Sequence, residues 1–402
     1  MPVTVDAIRE AQAHLVGVAR VTPMVSAAYL ADRVGGPVWL KCENLQVAGS
    51  FKVRGAHIRL SRLTGEQRAA GVVAASAGNH AQGVAWAARG LGIATTVFMP
   101  EGAPLPKLAA TRDYGARVVT AGTTIDDALV AATEFAERTG AELIHPFDHE
   151  DIVTGQGTVG LEILDQVPDV RTVLVCTGGG GLVAGIATAL GELAPDVRVI
   201  GVQAAGAAAY PASLAAGHPV ALNAMATMAD GIAVGRPGVV PLAIIAQREV
   251  EIRTVSEEAM SQGLLLVLER SKLLVEPAGA AAVGALLEAP AGIEAPVVVV
   301  LSGGNIDPLL LARVLEHGMI AGGRYLQLRV RIPDRPGGLA GLLAEVAALA
   351  ANVISVQHLR TTTGLSVSEV DVSMHLETRG PGHCDEVTVG LRERGFRVRR
   401  EA

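Results

Sequence analysis

The 402-residue sequence predicts an α/β chain, a parallel sheet with covering helices followed by a small ferredoxin-like βαββαβ module. Three observations carry that expectation. Short apolar runs alternate with helical segments over most of the chain, as parallel strands joined by crossover helices do. Three of these runs end in small-residue loops: SAGNH at 76–80, TGGGG at 177–181 and SGGN at 302–305. Past the Gly-rich stretch HGMIAGGRY (317–325), strict alternation of apolar and polar residues takes over, as in half-buried strands.

The expected strands of the first part are, in order, PVWLKC, GVVAAS, ATTVFMP, RVVTAG, ELIHPF, TVLVCTG, RVIGVQA and PVVVVLSGG. Their tails end in Ser, Gly, Thr or Pro, and helices such as HAQGVAWAARGLG and PKLAATRDYG follow. In open sheets of this kind ligands bind beyond the carboxyl ends of the strands. The second part reads as the strand YLQLRVRI, the helix LAGLLAEVAALAA, the strand NVISVQHL, a Thr/Gly turn and the strand LSVSEVDVSMHLE. A shorter helix near DEVTVGLRERG and a last strand, FRVRR, close it. The expected division is 1–320, a linker at 321–325 and the module at 326–402.

Composition narrows the function classes. Half of the residues are apolar and 18% are charged, which excludes a mainly disordered chain. Aromatics make up 3%, so Ala, Val, Leu and Ile must build the core, and 47 glycines foretell many turns and close approaches. A net charge of −7 argues against a nucleic-acid binder. The one basic cluster, Arg392, Arg394, Arg397, Arg399 and Arg400, reads as a solvated face. Cys42, Cys176 and Cys384 have neither disulfide nor metal-ligand spacing, which points to a reducing, cytoplasmic compartment and no resident metal. Residues 172–191 are apolar enough to imitate a membrane span, but four consecutive glycines split them into strand, turn and helix.

Lys52, in ENLQVAGSFKVRGAH, is the residue that most invites a chemical reading. Ser50 is a good N-cap, which puts Lys52 in the first turn of a helix through Val53, Ala56 and Ile58. The positive end of a helix, any desolvation and the neighbouring Arg54 would all lower its pKa. Such a lysine is an amine nucleophile able to form a Schiff base. Lys41, in an alternating strand two residues from Glu43, reads as structural.

Gly178, Gly179, Gly180 and Gly181 stand between a strand and a helix, where bare backbone N–H groups bind phosphate. A dinucleotide fingerprint would want an acidic residue where Gln203 stands, and the chain has no P-loop motif. Asn79 offers two donors and an acceptor in a loop suited to a carboxylate, with a helix expected from about His80. Ser302 closes a strand with a hydroxyl. An activated lysine, an anion loop and small polar groups at strand ends together point to an aldehyde-phosphate cofactor, pyridoxal 5′-phosphate (PLP).

The motifs KCENLQVAGSFKVRGA, SAGNHAQGVA, GQGTVGLEIL, TGGGGLVAG, EPAGA and SGGN, in that order from about residue 10 to 320, resemble the threonine dehydratases (threonine ammonia-lyases). These are PLP enzymes of the tryptophan-synthase-β fold (fold type II), so the resemblance implies that residues 1–320 form two open parallel-sheet subdomains, the smaller at about 50–150. The tail, with IPDRPGGLAGLL and NVISVQH, is similar to an ACT domain, an amino-acid-sensing module. The resemblance implies that Lys52 holds PLP covalently with Phe51 against the ring. Gly178 to Gly181 and Leu182 would cradle the phosphate, Asn79 would meet the ring hydroxyl and Ser302 the pyridine nitrogen. Ser76, Ala77, Gly78, Asn79 and His80 would take the substrate carboxylate, with Gly231 lining its other side.

The activity so implied is dehydration and deamination of L-threonine to 2-oxobutanoate and ammonia, and of L-serine to pyruvate, in amino-acid metabolism such as isoleucine biosynthesis. An effector, isoleucine or valine, would bind the ACT domain near Asp334 to Gly338, in a homodimer or homotetramer. Serine racemases resemble the chain but carry a second serine where Ala77 stands, so racemisation is disfavoured. Relatives that hold a divalent cation do so through carboxylates where this chain has Gln203 and Ala209. Threo-3-hydroxyaspartate ammonia-lyase and a non-catalytic amino-acid sensor are the remaining rivals.

Overall fold

The computed structural model describes residues 2–360 and 365–401, and the chain divides into two compact units, Met1–Leu311 and Ala312–Ala402. The Thr/Gly turn expected at 361–364 lies outside the described residues.

The first unit holds two sheets. Across the larger one the strands run Met24–Ser26, Val38–Lys41, Val297–Val300, Thr172–Cys176, Arg198–Ala204 and Glu251–Val255. All pairs are parallel except that of the edge strand Met24–Ser26. Val297 sits opposite Val38 on one side and Thr172 on the other. Helices cover both faces, which is why Val297 to Val300 and Thr172 to Cys176 are wholly buried apolar runs. The smaller sheet is parallel throughout, in the order Arg117–Thr120, Thr95–Met99, Val72–Ala75, Glu142–Leu143. The loops SAGNH, TGGGG and SGGN leave the carboxyl ends of Val72–Ala75, Thr172–Cys176 and Val297–Val300.

Every expected strand of this unit forms. Two were not expected, Met24–Ser26 and Glu251–Val255. Both are edge strands: the first has three residues, and the second, EIRTV, is mostly half-exposed and carries charges that an interior strand would not tolerate. The apolar stretch at 172–191 is a strand followed by the helix Gly181–Leu193. Among the described residues no helix is long and apolar enough to cross a membrane.

Scarce aromatics and abundant glycines are reconciled by close helix packing. A Cβ on Gly155, in the helix Glu150–Gln166, would lie 2.6 Å from the Cα of Gly55, in the helix Lys52–Ser61. A Cβ on Gly83, in the helix Asn79–Leu91, would come within 3.1 Å of the backbone carbonyl carbon and Cβ of Lys52. That approach sets the lysine beside the SAGNH loop.

Between these helices lies a buried ionic cluster. Arg54 Nε and Nη2 donate to Glu43 at 2.8 and 2.7 Å, and its Nη1 donates to Glu162 at 2.6 Å. Lys41 Nζ donates to Glu162 at 2.6 Å, to Gln166 at 2.8 Å and to the Thr22 carbonyl at 2.9 Å. Two cations face two carboxylates with their remaining hydrogen-bonding capacity occupied, the condition for burying charge without ruin. Lys41 is therefore structural, as its strand setting implied, although it bonds Glu162 in place of its sequence neighbour Glu43.

The second unit is an antiparallel sheet in the order Asn352–Leu359, Glu369–Glu377, Tyr325–Pro333, Arg397–Arg400, with helices Gly338–Ala348 and Pro381–Glu393. Its chain order is βαββαβ. Leu326, Leu328, Val330 and Ile332 alternate inward with Val370, Val372, Met374 and Leu376 to make its core. The strand expected from residue 365 begins at Glu369, because the Glu369 N–H closes a turn onto the Ser366 carbonyl at 3.0 Å. Residues 317–321 of the Gly-rich stretch belong to the helix Pro308–Ala321.

Candidate active site

Lys52 is the first residue of its helix, and Phe51 precedes it as N-cap without a side-chain cap bond. Ser50 does not cap: it is extended (φ −163°, ψ 163°), fully buried, and its Oγ has no hydrogen-bond partner. Its backbone is instead paired with Gly303, and Phe51 N donates to the Ser302 carbonyl at 3.2 Å. Sheet pairing thus overrides capping propensity and ties Lys52 to the SGGN loop. The half-buried lysine ends with Nζ 2.9 Å from the Pro146 carbonyl oxygen and 5.2 Å from the Phe51 ring centroid. Desolvation lowers its ammonium to about 8, against the opposing pull of Cys176 and Glu276. Arg54 is not among the causes, since its charge is taken up by Glu43 and Glu162.

Pro146 leads into Phe147, and Phe147 braces the tetraglycine. A Cβ on Gly179 would overlap the Phe147 ring, one on Gly181 would lie 3.2 Å from the Phe147 Cβ, and one on Gly178 would lie 3.0 Å from the Ile232 Cα. Gly180 has φ +93° and is the N-cap of the helix Gly181–Leu193, with no side-chain cap bond. A Cβ there would overlap the Tyr210 hydroxyl, which donates to the Gly179 carbonyl at 3.1 Å. The atoms packed behind the loop leave no room for a Cβ at Gly179 or Gly180 and little at Gly178 or Gly181. The uncapped amides of the helix start, with Leu182 in its first turn, have no intrahelical acceptors.

Asn79 opens the helix Asn79–Leu91, one residue earlier than the sequence suggested, and Gly78 is its N-cap. The Asn79 side chain is thus free for other work. Its Nδ2 donates to Glu276 Oε1 at 2.5 Å, and its Oδ1 accepts from Asn305 Nδ2 at 2.9 Å. Ser76 Oγ accepts from the Gly78 N–H at 3.1 Å, which braces the Ser76–Ala77–Gly78 bend. His80 is buried, its Nε2–H committed to the Ile144 carbonyl at 2.7 Å, and burial pushes it down to about 3, so its ring is neutral. Ser302 Oγ accepts from Cys176 Sγ at 3.0 Å. Gly231 sits against the EPAGA segment, where a Cβ would lie 2.9 Å from Ala278 Cβ and 3.3 Å from Glu276 Oε1.

Lys52, Phe51, Asn79, Ser302, Gly231 and the tetraglycine are thus linked through Pro146, Phe147, Glu276 and Gly303. The sequence reading passed over Glu276, the buried residue just before the helix Pro277–Glu288. Burial pushes its carboxyl up to about 7 and Asp230 adds to the rise, while Lys107, Asn79 and Lys52 oppose it. Its Oε2 has no partner. Asp230 is ion-paired with the buried Lys107, from the helix Leu105–Asp113. The signal was present in EPAGA, a glutamate between apolar neighbours, but a glutamate before a helix-opening proline also reads as an ordinary helix start. Phe147 and Tyr210 were unreadable, because bracing a loop from behind leaves no local pattern. Gln203 is held by backbone, its Oε1 accepting from Tyr210 N at 2.9 Å.

These residues fit PLP. An amine of lowered pKa meets an aldehyde, an uncapped glycine helix start meets a phosphate, and a hydroxyl and an amide at strand ends meet the polar ring atoms. Two buried polar atoms, Ser50 Oγ and Glu276 Oε2, lack protein partners in the same region.

Comparison with known proteins agrees. A protein named L-threonine ammonia-lyase from Geobacter sulfurreducens is 45% identical over 392 residues, 97% of this chain and 98% of that one. Maize serine racemase superposes with a TM-score of 0.74 at 32% identity, covering 80% of this chain and 99% of that structure. The processed form of threonine deaminase isoform 2 from Solanum lycopersicum superposes with a TM-score of 0.72 at 36% identity, covering 79% and 95%. Residues 16–303 match the family model described as pyridoxal-phosphate dependent enzyme. With Lys52, the tetraglycine and the strand-end loops all inside that span, the chain belongs to the pyridoxal-phosphate dependent enzymes.

Proposed function

We propose that the chain is a PLP-dependent ammonia-lyase that converts L-threonine to 2-oxobutanoate and ammonia, and L-serine to pyruvate. The observation that carries this reading is the placement of Lys52, its Nζ at the Pro146 carbonyl between the braced tetraglycine and the SAGNH loop. Bound PLP supplies an electron sink for the pair left when the Cα–H bond breaks. Lys52, with its ammonium lowered to about 8, returns readily to the free amine that accepts that proton. Asn79 and Ser302 orient the ring, and the Ser76–His80 loop and Gly231 hold the amino acid. The pair left at Cα forms the Cα–Cβ double bond as the Cβ–O bond breaks, and the hydroxyl departs as water with the proton Lys52 had taken up. The enamine then takes up water to give the 2-oxo acid and ammonia. Ala77 offers no proton to the opposite face of Cα, so elimination is favoured over racemisation.

The second unit acts in this reading as an ACT-type regulatory domain that binds an amino-acid effector, isoleucine or valine, near Asp334–Gly338, in a cytoplasmic homodimer or homotetramer. The βαββαβ order and the Asp334–Arg360 ion pair at 2.9 Å, beside that loop, support it, as do three buried free thiols for a reducing compartment. The test is 2-oxo acid release by purified protein with PLP, from L-threonine with D-threonine as control. Product from the L isomer alone is expected, and D-serine formation from L-serine without 2-oxo acid would replace the lyase reading by racemisation. Truncation from about residue 322 should keep turnover and lose the effector response. A truncated enzyme that still responds removes the regulatory role from the second unit.

A further inference from the structure

The strand-end loops contain a chain of side-chain amides whose orientation can be worked out from one end. It begins at the Ala48 carbonyl, an acceptor and nothing else. Asn305 Nδ2 donates to that oxygen at 2.8 Å, so the nitrogen of Asn305, and not its oxygen, must face this way. Its second hydrogen goes to Asn79 Oδ1 at 2.9 Å. That contact fixes the Asn79 amide in turn, with Nδ2 directed to Glu276 Oε1 at 2.5 Å. The ionised Glu276 carboxylate only accepts, so above its pKa this end demands the same orientation that the Ala48 carbonyl imposes at the other end.

The surrounding backbone is shaped for this arrangement. Ala48 holds a left-handed conformation (φ 57°, ψ 16°), uncommon for a residue with a Cβ, and presents the carbonyl that anchors Asn305. A Cβ on Gly49 would overlap the Asn305 amide. At the other end, a Cβ on Gly303 would lie 2.5 Å from Glu276 Oε1 and 3.0 Å from Asn79 Nδ2. Two glycines thus make room for two links of one chain.

We propose that Asn305 and Glu276 are positioning residues that lock the Asn79 amide, leaving its second Nδ2 hydrogen as the donor offered to the cofactor ring oxygen. The inference rests on the reading above that Asn79 meets the ring hydroxyl. An amide free to rotate could present its oxygen there instead, and an oxygen repels the ionised ring hydroxyl. Locking removes that alternative before the cofactor binds.

The experiment compares PLP affinity, by titration of the full-length apoprotein, with the absorption maximum of bound PLP in Asn79→Ala, Asn305→Asp, Glu276→Leu and Glu276→Gln. Asn305→Asp keeps the side-chain shape but cannot donate to Asn79 Oδ1. It should bind PLP about tenfold more weakly and shift the absorption band in the same direction as Asn79→Ala. Glu276→Leu should behave alike, whereas Glu276→Gln, which keeps an acceptor oxygen for Asn79 Nδ2, should stay within about threefold of wild type. Thermal melting of each apoprotein identifies a folding defect, and Glu276→Gln against Glu276→Leu decides the matter if Asn305→Asp unfolds. A shifted Asn79→Ala beside unshifted Asn305→Asp and Glu276→Leu overturns the locking and leaves the Asn79 assignment standing. An unshifted Asn79→Ala overturns that assignment itself, and the locking with it.

Discussion

The Lys52 ammonium ends on the Pro146 carbonyl oxygen, 2.9 Å away, and Pro146 is the neighbour of the phenylalanine that braces the glycine loop. Lysine and phosphate cradle are thus joined through one dipeptide. The folded chain holds this amine at about 8, against 10.5 for an unperturbed lysine. The unfolded chain therefore binds more protons between those values, so stability rises with pH across that window and carries the full cost below it. Lys52→Met should make the apoprotein more stable than wild type at pH 7, with the advantage shrinking from about pH 8 upward. Denaturant midpoints across pH measure this. The same variant should lose turnover and any borohydride-fixed cofactor, and wild-type turnover in it would refute the role given to Lys52.

Glu276 behaves in the opposite sense. Its carboxyl is raised from 4.5 to about 7, so the folded chain binds the extra proton, and stability falls as pH climbs from 4.5 to 7. Asp230→Asn should move this window down and Lys107→Met should move it up, because Asp230 raises the carboxyl and Lys107 lowers it. Apoprotein unfolding at several pH values reads the shift. Equal windows in both variants would show that neither charge reaches Glu276.

Arg54 holds Glu43 and Glu162 together at 2.6 to 2.8 Å with almost no exposure. Arg54→Met should leave buried carboxylates short of a cation and destabilise the apoprotein by about 3–5 kcal/mol. Urea unfolding would report it. A loss below about 1 kcal/mol would mean that Lys41 alone can serve both carboxylates.

Gly180→Ala should be among the most damaging single-methyl changes in the chain. The left-handed φ of +93° strains any other residue, and the new Cβ would overlap the Tyr210 hydroxyl. Destabilisation of at least about 1 kcal/mol is expected, with weaker PLP binding. Tyr210→Phe in the same chain should recover part of the overlap but none of the backbone strain. Full recovery in that double variant would assign the whole effect to the tyrosine.

The alternation of apolar runs with helices, the three polar loops at strand ends and the change of period near residue 320 are local properties, and they determined the sheets and the βαββαβ module and singled out the loops of the candidate site. A parallel strand buried on both faces must be an uninterrupted apolar run, so Thr172–Cys176 and Val297–Val300 declare themselves. Edge strands obey no such rule, and Met24–Ser26 and Glu251–Val255 stayed silent.

Tertiary structure decided the rest. Only the fold could show that Ser50 is claimed by Gly303 instead of capping a helix, or that Arg54 spends its charge on Glu43 and Glu162 and not on Lys52. Only the fold could bring Glu276 to Asn79 across 197 positions, or Asn305 across 226. The physical reason is range. Burial pattern and turn chemistry act between neighbours in sequence, whereas desolvation, ion pairing and the locking of an amide act between neighbours in space.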